Sequence, residues 1–161
     1  MEAMAITRVA SFSDFLALLN ETNTPHRADP ERQIAEIAAS PGVLAVRWEK
    51  GKPYAQIVQV MVQDVPADRR SEVENAICRA NNTIVLPGFG YEYDRNFIYM
   101  RLCVPMYEEG MLAQSFRKQM ASVVSNAQQF VVPFQKVVQG VPGERILELA
   151  VQIATGQNPP S

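Results

Sequence analysis

The sequence predicts an α+β protein: a single antiparallel sheet of about four strands with helices packed on one face. Three observations carry this. Two runs rich in aromatic and β-branched residues, 83–94 and 96–104, flank Asp94-Arg95 and read as a hairpin. A second pair of strand-like runs, 43–48 and 54–62, is joined by Lys50-Gly51-Lys52-Pro53. Segment 112–139 then repeats apolar residues at helical spacing, from Phe116, Met120 and Val123 to Phe130, Phe134 and Val137. Hairpins clustered with helices between them belong to the α+β class.

Taken in order, residues 1–10 read as a flexible lead, 11–156 as one α+β domain and 157–161 as a disordered tail. Ser11-Phe-Ser-Asp14 places a hydroxyl three residues before a carboxylate, a capping-box start. Phe12, Phe15, Leu16 and Leu19 follow at helical spacing. Residues 20–27 are polar, contain Pro25 and read as a loop. Asp29-Pro30 reads as a second helix start, with Ile34, Ile37 and Ala38 on its apolar side and Pro41-Gly42 as its end.

In the next pair of runs, Val58, Val60 and Val62 alternate with Gln59, Met61 and Gln63, which predicts a sheet with one face buried. Trp48 reads as a core residue. Pro66-Ala-Asp68 opens a helix through Arg79 whose Val73, Ile77 and Ala80 face inward, and Asn81-Asn82 reads as a left-handed exit.

For the hairpin, setting Tyr93 opposite Asn96 puts Phe89, Tyr91 and Tyr93 on one face with Ile98, Met100, Leu102 and Val104. The other face carries Gly88, Gly90, Glu92, Phe97, Tyr99, Arg101 and Cys103, and is half polar. The first face is therefore assigned to the core. In this register Tyr99 lies across from Gly90 and covers its bare backbone. The long helix should stop at Gly140 and should kink or break near Gln129, because Pro133 lacks an N–H. Residues 146–153 form a short, unusually apolar helix that docks on something.

The totals bound the function. A chain of 161 residues is long enough to bury about 70% of its unfolded surface. A net charge of −2 argues against nucleic acid, since phosphate binding needs clustered Lys and Arg. The pairs Arg69-Arg70 and Arg117-Lys118 are short and read as solvated helix faces. Cys78 and Cys103 have neither metal nor redox spacing and read as reduced core residues. No export signal and no membrane span are visible, so a cytoplasmic protein is the expectation. His26 is the only histidine and lies in a polar stretch, with no nucleophile–base pair around it. Gly88-Phe-Gly90 lacks the third glycine of a dinucleotide loop. No catalytic residue, metal site or cofactor is expected.

What remains is contact. The mixed hairpin face with Phe97, Tyr99, Arg101 and Cys103 has the residue types that interface centres favour. Either a helix of the same chain covers it or a partner does. A second candidate is a pocket between sheet and C-terminal helix lined by Tyr91, Met100, Met120 and Phe130.

Several of these positions carry a family resemblance. They are Asn81 after the middle helix, Gly88-Phe89 before Tyr91 and Asp94, and Ile98-Tyr99-Met100-Arg101 leading to Val104-Pro105. Leu112 at the start of the last long helix and Val137-Val138-Gln139-Gly140 at its end complete them. Over residues 43–140 the chain resembles the YbjN family of sensory transduction regulators and the wider fold of type III secretion chaperones. The resemblance implies a small acidic protein, often a homodimer, that holds other proteins or regulates by contact. It brings no catalytic residues. The expected function is therefore a non-enzymatic, chaperone-like binding protein acting as a homodimer, its partner a protein client or itself. The alternative is a regulator that senses a small ligand.

Overall fold

The computed structural model describes residues 6–156. Strands β1 (Arg8–Val9), β2 (His26–Asp29), β3 (Ile34–Ala39), β4 (Gly42–Trp48), β5 (Tyr54–Val62), β6 (Gly88–Glu92), β7 (Phe97–Pro105) and β8 (Met111–Leu112) alternate with four α-helices. These are α1 (Phe12–Glu21), α2 (Arg70–Asn81), α3 (Ala113–Val138) and α4 (Ile146–Ala154). The fold is α+β. Six strands form one antiparallel sheet in the order β2-β3-β4-β5-β7-β6, and β1 pairs with β8 in a separate ribbon.

The sheet is wider than the four strands expected because residues 26–29 and 34–39 are strands, not a loop and a helix. Asp29 does not cap a helix; its Oδ1 accepts the Arg32 N–H at 3.1 Å and closes a turn. Gln33 then sits at φ 55°, which no α-helix could run through. Along β3, Ala35 and Ile37 are buried while Glu36 and Ala38 are exposed, a period of two. The spacing of Ile34, Ile37 and Ala38 fits a helix as well, and pairing with β4 decides against it.

The lead is also more ordered than expected from residue 6 onward. Val9 is fully buried, and the Ile6 N–H donates to Glu21 Oε2 at 2.8 Å. Arg8 holds the ribbon by donating to the carbonyls of Glu109 and Gly110. Residues 1–5 and the expected tail 157–161 lie outside the described residues.

The capping box forms as read: Ser11 Oγ accepts the Asp14 N–H, and Asp14 Oδ2 accepts the Ser11 N–H. Helix α3 lays Phe116, Val123, Ala127, Phe130, Phe134 and Val137 against the sheet, all buried. It runs through Pro133 as one helix, so of the kink or break expected near Gln129 the break does not occur. The pyrrolidine ring is itself buried, and packing on both sides of it holds the rod together. Gly140 takes φ 128° just past the end, as a helix stop requires.

Arg69 and Arg70 are half-buried and hydrogen-bonded to the fold, not a freely solvated face. Arg69 Nε and Nη2 donate to the Val137 carbonyl at 3.1 and 2.7 Å, and Nη2 also reaches Val141 O, tying off the end of α3. Arg70 Nη2 donates to Asn96 Oδ1, which the Tyr91 hydroxyl also reaches.

The core lies between the sheet and α1, α2 and α3. Phe15, Trp48 and Phe116 form its aromatic centre at one end, with centroids 5.3–5.7 Å apart. Phe89, Phe130 and Phe134 form another at the far end. The apolar α4 docks on α3 and α2 through Ile146, Leu149 and Ala150, all buried, and leaves Val151 63% exposed.

Candidate functional site

The hairpin of β6 and β7 has the register read from the sequence, with Gly90 opposite Tyr99 and Glu92 opposite Phe97. Phe89, Tyr91, Ile98, Met100, Leu102 and Val104 are buried. Tyr93 lies beyond the strand end and is 56% exposed, so it does not join that face. Its hydroxyl donates to Glu74 Oε1 at 2.7 Å; that bond and the carboxylate charge push the phenol's titration above its usual range. A ring of Tyr99 lies directly over Gly90, where any Cβ would collide with it. The residues before the hairpin differ from expectation. Positions 83–87 are a loop, with Val85 95% and Leu86 70% exposed.

Asn82 is right-handed, not a left-handed exit. The polar residue that bonds the strand there is Asn81. Its Oδ1 accepts the Phe89 N–H at 2.7 Å and its Nδ2 donates to the Phe89 carbonyl at 3.0 Å. One amide thus imitates a neighbouring strand along the free edge of β6.

Phe97, Tyr99, Arg101 and Cys103 all project from β7 on the side away from the helices. Phe97 and Tyr99 sit edge to face at 6.0 Å, and the Arg101 guanidinium lies 5.8 Å from the Tyr99 ring centre. Among the described residues no helix covers this face. Cys103 is exposed, and so is Cys78 on α2; neither is the core residue the sequence suggested, because each falls on the outward side of its element.

The sheet register extends this patch across the molecule. Tyr99 pairs with Val60 on β5, and Ala38 on β3 pairs with Val43 on β4; the β4–β5 pairing ends at Leu44 and Gln59, the positions next to Val43 and Val60. The next row runs from Arg101 through Val58 and Ala45 to Glu36, and the third from Cys103 through Gln56 and Arg47 to Ile34. Val43 is 42% exposed and Val58 and Val60 are half-buried. The valine–glutamine alternation on β5 thus points opposite to a simple amphipathic reading. Gln59 faces the core with 0% exposure, while the valines face out. Gln59 Nε2 donates to the Ala39 and Val60 carbonyls, both at 3.3 Å, and its Oε1 has no partner among the described residues. The register shift between Val60 and Val62 then returns Val62 to the inner face.

The four residues of the expected pocket are not brought together. Met100 is fully buried, and Tyr91 is buried with its hydroxyl on Asn96. Phe130 borders a hollow of ≈ 330 Å³ under α4. Met120 alone lines the larger apolar groove, ≈ 440 Å³, which lies between α1 and α3 over the outer half of the sheet. Ile37, Ala39 and Leu44 make its floor, Leu18, Leu19 and Val124 its walls. Arg117 and Gln128, both exposed, stand where it meets solvent. Sequence reasoning missed this groove because it placed 34–39 on a helix.

His26 lies on β2 with Nδ1 2.9 Å from the Thr24 carbonyl. Among the described residues there is no group of three or more His, Cys, Asp or Glu placed to hold a metal, and no helix long and apolar enough to cross a membrane. No protein-family model matches the chain, no curated protein matches it and no solved structure matches it.

Proposed function

We propose that this protein works by contact: it is a non-enzymatic, chaperone-like binding protein that pairs with a second copy through the bare outer face of its sheet. The observation that carries this is the apolar cluster of Ala38 with Val43, Val60 with Tyr99, and Ala45 with Val58, beside Phe97, on a face that no helix covers among the described residues. Folded monomers seldom leave such a patch to water. Aromatic side chains beside an arginine are the composition of interface centres. The same reading is the one the YbjN resemblance implies.

The test is sedimentation equilibrium of the full chain beside a Val60→Glu variant. The unchanged chain should run as a dimer. The glutamate should give a monomer that melts within a few degrees of it, because position 60 faces out of the fold. A chain that stays monomeric at every concentration ends this reading.

A second reading has its own observation. The groove holding Met120 is apolar, with the Arg117 guanidinium at its mouth. Such a site suits a small amphipathic molecule with an anionic head. A medium-chain carboxylic acid should raise the melting temperature by mass action, and Arg117→Ala should abolish the rise. No rise with the unchanged chain removes the reading.

A further inference from the structure

We infer that the two copies close face to face about a two-fold axis that runs parallel to the strands, between β4 and β5, so that Glu36 of each copy meets Arg101 of the other. This rests on the pairing proposed above and assigns its geometry. An axis in that position exchanges β4 with β5 and β3 with β7. Each row of the outer face then lands on itself, reversed.

The consequences follow from the registers. In one row Glu36, Ala45, Val58 and Arg101 lie side by side on β3, β4, β5 and β7. Reversal sets Glu36 on Arg101 and Ala45 on Val58. In the adjacent row, Ala38 meets Tyr99 and Val43 meets Val60, so the largest side chain faces the smallest. In the third, Ile34 meets Cys103 and Arg47 meets Gln56. No like charges oppose one another, and the smallest residue, Ala38, faces the largest, Tyr99.

Two other axes fare worse. A two-fold axis perpendicular to the strands through the Glu36 row sets Arg101 on Arg101 and Glu36 on Glu36. Moving the parallel axis to lie between β5 and β7 buries Arg101 on Val58 and leaves Glu36 without an opposite number. A desolvated charge without a partner is costly at an interface.

The dimensions fit. Strands lie about 4.8 Å apart, so Glu36 and Arg101 each sit about 7 Å from the proposed axis. Packed sheets are about 10 Å apart and turned by about 30°, which offsets each end of the row by only about 4 Å. A glutamate and an arginine reaching toward each other span that gap. Glu36 is exposed in the single chain and makes no ion pair with Arg27 or Arg47 within 4.0 Å, and Arg101 has no ion-pair partner among the described residues.

Charge reversal tests this. Sedimentation equilibrium is run on the full chain, on Glu36→Arg, on Arg101→Glu and on the double variant, with thermal melts to check folding. Each single reversal should weaken the dimer by roughly tenfold, and the double variant should return to within roughly threefold of the unchanged chain. A double variant as weak as the two single losses combined overturns this axis. So do single variants that pair as tightly as the unchanged chain. In either case, Val60→Glu still yielding monomers would keep the pairing face and reject only its geometry. A monomeric unchanged chain overturns both.

Discussion

Replacing Phe116 by alanine tests the buried side of α3 most sharply. The ring is fully buried and packs 5.3 Å from Phe15 and 5.7 Å from Trp48, measured between centroids. Removing a buried phenylalanine costs about 3–5 kcal/mol. Two aromatic neighbours, each worth about 0.5–1.5 kcal/mol beyond area, put this site in the upper half of that range. At about 2–4 °C per kcal/mol for a chain of this size, the melting temperature should fall by about 8–20 °C. Urea unfolding followed by fluorescence is the assay, because Trp48, the chain's one tryptophan, is itself in contact with the deleted ring. The midpoint should drop while the slope stays fixed. The control is Lys118→Ala on the exposed side of the same helix, which should cost no more than about 1 kcal/mol of folding stability. A Phe116→Ala midpoint indistinguishable from the control would refute the claim that α3 is held by its buried stripe.

Three further outcomes are expected. Gly143→Ala should destabilise by about 1–3 kcal/mol in thermal unfolding, because the new methyl falls on the Glu72 carbonyl where α2 passes close to the turn before α4. Asn81→Ala should cost about 1–2 kcal/mol and speed amide exchange at Phe89, since both of that residue's edge bonds go to the Asn81 side chain. Glu74→Gln should bring the Tyr93 phenol back down toward its usual titration range in a spectrophotometric titration, because the charged acceptor that favours the protonated form is gone.

The parts of the fold legible in the sequence are those where one local signal decides. The β6–β7 register follows from a four-residue turn and strict alternation, and the pairing of Gly90 with Tyr99 came with it. The α1 cap needed only Ser11 and Asp14. The buried side of α3 needed only its spacing. Elements settled by tertiary pairing were not legible. Ile34-Ala-Glu-Ile37 suits a helix or a strand, and only β4 beside it selects the strand. The two-residue strands β1 and β8 exist because Val9 has a core to enter.

The candidate face was half legible. Phe97, Tyr99, Arg101 and Cys103 share it as their alternation on β7 requires. Its other half was hidden by β5. There the valines look like core residues and Gln59 looks like surface, yet the reverse holds. Hydrophobicity alone assigns valine inward, and β5 is an exception to it, with Val58 and Val60 on the outer face. The groove beside Met120 could not be read at all, because it depends on the distance between α1 and α3 over β3 and β4.

What Val60 touches in solution decides whether the outer face of the sheet is a pairing surface. The direct measurement is an isotope-filtered NMR experiment on a sample mixed from labelled and unlabelled chains, which records only contacts between copies. Contacts between the Val60 methyl groups and Val43 of the other copy are the predicted result. Contacts between copies that arise only from α3, α4 or the 83–87 loop, or none at all, would contradict it.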